Sequence, residues 1–158
     1  MTPEKQLRID KEFLEDARWG SRKSEDRSTK HGCLIVNDRQ IVLSTGWNGF
    51  PRGINGLIEE RHQRPEKYLW TEHSERNAIY NAAAEGIRLR GSTAYITGLP
   101  CTECARGLIQ AGIVRVVIPS DNISWNHPDA EHQRIVTLTL FKEANVTVDI
   151  VSILPDKS

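Results

Sequence analysis

No run of apolar residues in this 158-residue sequence approaches the roughly 18 that cross a bilayer as a helix. A membrane-spanning reading is therefore set aside. Met1-Thr2-Pro3-Glu4-Lys5 lacks the charged-then-apolar layout of a secretory signal, so a cytoplasmic location is expected. Neither charge is in excess: 21 Lys and Arg balance 21 Asp and Glu. No basic track for a long nucleic acid is expected, whereas a single nucleotide phosphate needs only a few donors. Cysteine is scarce and odd in number, with 3 residues, two of which form Cys101-x-x-Cys104. In a reducing compartment that spacing points to metal or redox chemistry and away from a disulfide frame. No repeat, low-complexity segment or linker interrupts the chain, and residues 1–158 suit one domain.

Leu7, Ile9, Phe13, Leu14, Ala17 and Trp19 recur among charges and predict a one-sided helix over residues 4–19. A polar loop follows to residue 31. Gly32-Cys33-Leu34-Ile35-Val36 and Ile41-Val42-Leu43-Ser44-Thr45 flank a short polar turn and read as a hairpin, with Cys33 as a small core residue. Gly46-Trp47-Asn48-Gly49-Phe50-Pro51-Arg52-Gly53 opens a long connection reaching Trp70. Helices are then expected over 73–85, 101–111 and 129–144, with strands at 93–97, 114–118 and 146–151. This α-β-β-α-β-α-β-α-β order predicts a mixed sheet with helices on both faces.

Two fragments carry the chemistry: His73-Ser74-Glu75 and Pro100-Cys101-Thr102-Glu103-Cys104. At a helix start, Cys101 and Cys104 lie one turn apart and can face one metal, and the helix N-terminus favours their thiolates. His73 from a neighbouring helix supplies a third soft ligand, leaving a fourth position of a zinc ion for water. Glu75 sits on another side of the same first turn, so it can exchange protons with that water without displacing a ligand. Other readings are weaker. No second C-x-x-C completes a structural four-cysteine site, and the early strand-following position of a thioredoxin-like pair is missing.

Together the fragments make the H-x-E…P-C-x-x-C pattern of zinc-dependent base deaminases. The sequence resembles the cytidine/deoxycytidylate deaminase superfamily, and most of all its deoxycytidylate (dCMP) branch. Four stretches within residues 32–118 carry the likeness: Gly32–Asn37, Gly46–Gly53, His73–Ile79 and Pro100–Ala105. The resemblance implies a three-layer α/β/α cytidine-deaminase-like fold with a mixed five-stranded sheet. It implies one catalytic Zn2+ on His73, Cys101 and Cys104, with Glu75 as proton carrier, and hydrolysis of dCMP to dUMP plus ammonia. The alternative is another small base or nucleotide on the same chemistry, such as a modified dCMP, cytosine or guanine. A nucleic-acid base is disfavoured by the charge balance.

By the same resemblance Asn48 bonds the deoxyribose 3′-hydroxyl; its other reading is a turn residue beside Gly49. Trp47 either packs beneath the nucleotide or supports its loop. Lys30 and His31 stand where the family commonly has Gln-Val, and Lys30, Arg52 and Arg115 are phosphate candidates or plain surface charges. Trp125 and His127 replace a Tyr-His-Asp-type nucleotide segment. Ser74 stands where alanine is usual. His62 without a nearby cysteine argues against a second zinc in the 54–72 connection. The family further implies a homo-oligomer with dCTP and dTTP as effectors.

Overall fold

A computed structural model describes residues 1–123 and 129–153. Trp125 and His127 lie outside them. The elements are α1 Pro3–Ser21, β1 Gly32–Val36, β2 Val42–Trp47, α2 Lys67–Trp70, α3 Ser74–Ala84, β3 Thr93–Ile96, α4 Thr102–Gln110, β4 Arg115–Pro119, α5 Ala130–Glu143 and β5 Thr147–Val151, and all but α2 follow the expected order. Among the described residues no helix is long and apolar enough to cross a membrane.

The strands form one sheet in the order β2-β1-β3-β4-β5. β1 is antiparallel to both β2 and β3, whereas β3, β4 and β5 run parallel. The β2-to-β3, β3-to-β4 and β4-to-β5 connections all step the same way along the sheet. Right-handed crossovers therefore put α3, α4 and α5 on one face. That face buries Cys33, Ile35, Ala78, Ala94, Leu108, Val116, Ile118 and Phe141. The opposite face, Leu34, Val36, Tyr95 and Val117, is covered by Leu14 and Ala17 of α1. The alternation along β1 and β4 is the period-2 pleat of strands buried on both sides. Three layers result, with the N-termini of α3 and α4 at the carboxyl end of the parallel strands. Open α/β sheets hold their ligands in that crevice.

Two glycines set this packing. A Cβ on Gly46 would lie 2.2 Å from the Ser74 carbonyl oxygen, and one on Gly32 would lie 2.1 Å from that of Ala17. Bare backbone at Gly46 thus lets the first turn of α3 press against β2.

Two expectations need correction. Trp19 is 66% exposed, stacked beneath Arg22 with the guanidinium 4.2 Å from the ring. The buried face of α1 instead includes Asp10, paired with Arg115 at 2.7 Å and accepting from the Tyr95 hydroxyl at 2.9 Å. Asp10 fills a position that periodicity would give to a hydrophobe. The 54–72 connection is also not wholly irregular: it contains a 3-10 turn, Glu59–His62, and the single turn of α2. Both are too short to leave a periodic signal.

Candidate active site

His73 and Cys101 are the N-caps of α3 and α4, each with extended backbone just before the first helical turn. They therefore stand one residue ahead of their helices, side by side at the sheet's carboxyl edge. His73 Nδ1 lies 3.5 Å from Cys101 Sγ and 3.5 Å from Cys104 Sγ, and all three ligand atoms fall within 4.8 Å of one another. Tetrahedral zinc, with Zn–N of about 2.0–2.1 Å and Zn–S of about 2.3 Å, requires an N···S edge of about 3.5 Å. One borderline nitrogen and two thiols at that separation fit zinc.

The cysteine pair is polarised. Cys101 is lowered to about 3, chiefly by its hydrogen bond with Cys104, against burial and with help from His73. Cys104 is pushed upward by that same bond and by burial. A metal held here takes both cysteines as thiolates, so its binding releases protons.

Arg76, in the first turn of α3, closes the metal side. Its Nη1 donates to Cys104 Sγ at 3.6 Å and to Glu103 at 3.0 Å, and its Nε donates to Glu72 at 2.5 Å. Glu72 also accepts from the His73 backbone N–H at 3.0 Å. One guanidinium therefore spans the starts of α3 and α4 and offsets thiolate charge. Nothing in the sequence motif singled out Arg76; its i+3 spacing from His73 was the available signal.

Glu75 is buried, 6% exposed, and Ser74 is fully buried. The Ser74 hydroxyl donates to Glu75 Oε2 at 2.9 Å. The serine in the His-x-Glu motif thus has a use that alanine lacks.

The loops on the Glu75 side are stapled by side chains. Asn48 is 8% exposed; its Oδ1 accepts from His31 N–H and its Nδ2 donates to the Thr29 carbonyl, both at 2.8 Å. One lone pair and one amide hydrogen remain for a ligand. Asn77 Nδ2 donates to the Trp47 carbonyl at 2.7 Å, fixing the loop after β2 to α3. Trp47 is half-buried, with the Lys23 ammonium 5.0 Å from its ring. Lys30 Nζ donates to the Ser24 carbonyl at 2.7 Å.

An unforeseen buried pair anchors the same region. Lys67 Nζ lies 2.6 Å from Asp26 Oδ2, with side chains 8% and 6% exposed. Lys67 also donates to Ser28 Oγ at 3.0 Å, and Asp26 Oδ1 accepts from the backbone N–H groups of Ser28 and Thr29 at 2.8 and 3.0 Å. Burial opposes the Asp26 charge, but Lys67 and these donors hold its carboxyl well below the usual range.

Two candidate cations do not join the site. Arg52 is exposed and donates to Asn81, well past Glu75 along α3. Arg115 begins β4 at the opposite end of the strands, held by Asp10 and Asp149 at 2.7 and 2.6 Å. His62 turns its Nε2 to the Gly56 carbonyl at 2.7 Å. On the α4–α5 side, a cleft of about 530 Å³ opens on His73 and Cys101 and is walled by Arg106, His132 and Gln133.

Comparison with known proteins agrees with this geometry. The cytidine and deoxycytidylate deaminase zinc-binding region matches residues 7–120. A deoxycytidylate deaminase of Mus musculus is 34% identical over 140 residues, covering 85% of this chain and 75% of that protein. A probable deoxycytidylate deaminase of Caenorhabditis elegans is 34% identical over 113 residues, 70% of this chain, and the match spans only 56% of the worm protein. A crystal structure of the dCMP deaminase from cyanophage S-TIM5 with dCMP and dUMP superposes with a TM-score of 0.74 at 25% identity, covering 96% of this chain and 99% of that one. With the matched region spanning most of its length, the chain belongs to the cytidine and deoxycytidylate deaminase zinc-binding family.

Proposed function

We propose that this protein is a zinc-dependent aminohydrolase that converts dCMP and water into dUMP and ammonia. The observation that carries the reading is the His73–Cys101–Cys104 triangle with Glu75 buried on the same helical turn. The likeness to deoxycytidylate deaminases, and the remaining hydrogen-bonding capacity of Asn48, support a deoxynucleotide as substrate.

His73, Cys101 and Cys104 would hold a zinc ion, which would supply the Lewis acidity that activates a water. Glu75 accepts a proton from that water and delivers it to the ring nitrogen beside the amine-bearing carbon. The water oxygen bonds to that carbon. Glu75 then carries the second proton to the departing amine, the C–N bond breaks, and ammonia leaves while the oxygen stays as the new carbonyl. Ser74 holds one carboxylate oxygen through both transfers. Asn48 offers its free amide hydrogen and lone pair to the sugar hydroxyl, and Lys30 has donors left for phosphate.

The test is ammonia release from dCMP, 5-substituted dCMP, dCTP, deoxycytidine, cytosine and guanine. Turnover led by dCMP is expected; turnover of a free base alone would overturn the substrate assignment. The same reading extends to a cytoplasmic homo-oligomer that responds to dCTP and dTTP. Velocity curves unchanged by either triphosphate would reject that part.

A further inference from the structure

His31 belongs neither to the metal triangle nor to the Ser74–Glu75 pair, yet the charges of Glu75 and His73 both act on its ring. It immediately precedes β1 and is fixed on three sides. Asn48 Oδ1 accepts from its backbone N–H at 2.8 Å. Its carbonyl accepts from the Asn48 backbone N–H at 3.3 Å. Its Nδ1 lies 3.3 Å from Thr97 Oγ1. That oxygen already accepts from the Gly32 N–H at 3.0 Å, so the Thr97 hydroxyl hydrogen is free to point at His31 Nδ1. With Thr97 donating to Nδ1, the neutral imidazole carries its proton on Nε2.

The electrostatic surroundings agree. Burial favours the neutral ring, against Glu75; His73, Asp26 and Lys67 are the other charges that act on it. Because β1 is antiparallel to β3, His31 stands at the same end of the sheet as Thr97 and the segment leading to Cys101. Among the described residues no side chain or carbonyl meets Nε2, and none of their buried side-chain nitrogens or oxygens lacks a partner. Nε2 is therefore not sealed in the interior, and in this tautomer it is a donor without a partner among the described residues.

We propose that His31 is a specificity-determining residue whose Nε2–H donates to an oxygen of the bound nucleotide. The inference rests on the deoxynucleotide reading above. A ligand reaching from Glu75 toward the 26–30 loop passes the ring, and a neutral imidazole donor suits a sugar or carbonyl oxygen as well as a phosphate oxygen.

The experiment compares wild type, His31→Val and His31→Gln, each assayed for zinc content, dUMP affinity by calorimetry, and kinetics with dCMP and deoxycytidine. Loss of one ligand hydrogen bond in His31→Val should weaken dUMP binding and raise the KM for dCMP by about ten-fold, with kcat and zinc content little changed. His31→Gln keeps a donor and should recover most of the loss. In wild type, dUMP should shift the 15N resonance of His31 Nε2. A penalty with dCMP but not deoxycytidine assigns the acceptor to phosphate; an equal penalty assigns it to sugar or base. Unchanged dUMP affinity in His31→Val, or a 15N resonance unmoved by saturating dUMP, overturns the inference. If wild type itself binds neither nucleotide, the substrate reading falls with it; if wild type binds and His31→Val binds equally, only the role of His31 falls.

Discussion

Replacing Lys67 with methionine tests how the site's loops are held. The substitution keeps an apolar chain of similar length and removes the ammonium 2.6 Å from Asp26. Both side chains are more than nine-tenths buried, so Asp26 would remain as a buried carboxylate with only Ser28 and Thr29 as donors. Breaking a buried pair in this way costs about 3–5 kcal/mol. At about 2–4 °C per kcal/mol for a chain of this size, the midpoint of thermal unfolding should fall by about 6–20 °C. The pH dependence has a definite sign. Asp26 titrates lower in the folded state than in the unfolded one. Its stabilisation is therefore complete above about pH 4 and lost as the pH falls toward the folded-state value. In Lys67→Met that depression is largely removed, so the stability gap from wild type should narrow on acidification. Urea unfolding at pH 7.5 and below pH 4, with Asp26→Asn/Lys67→Met as the charge-free control, reads all three terms. A single variant within about 1 kcal/mol of wild type at pH 7.5, or a gap that widens in acid, would refute the reasoning.

Arg76→Leu removes the donor to Cys104 and the link between Glu72 and Glu103; zinc affinity in chelator competition should fall by about 10–100-fold. Arg115→Met should cost about 2–3 kcal/mol in urea unfolding, because it strips Asp10 of its cation. Its KM for dCMP should stay unchanged, since Arg115 lies at the far end of the strands.

Much of the architecture was legible because the hydrophobic pattern is local. The runs at 32–36 and 93–97 alternate between two cores, and the helical segments carry glycine stops at Gly86 and Gly112. The metal cluster His73, Cys101 and Cys104 was legible because Cys101 and Cys104 are spaced by one helical turn and both fragments sit at helix starts. What was hidden depends on partners distant in sequence. Asp10 can be buried only because Arg115 and Tyr95 arrive from β4 and β3. Lys67 looks like any surface lysine until Asp26 is placed against it. Arg52 reads as a phosphate cation until Asn81 is seen to hold it. His31 could be noticed as a departure from Gln-Val, but its ring contact requires Thr97, brought alongside by the β1–β3 pairing.

The central claim is that Glu75 moves the protons of a hydrolytic deamination at a zinc held by three other residues. Glu75→Gln keeps the shape and leaves all three metal ligands in place. Its zinc content should equal that of wild type, while the kcat for ammonia release from dCMP falls by about 10²–10⁴-fold. Turnover within a few fold of wild type, with zinc still bound, would contradict the account.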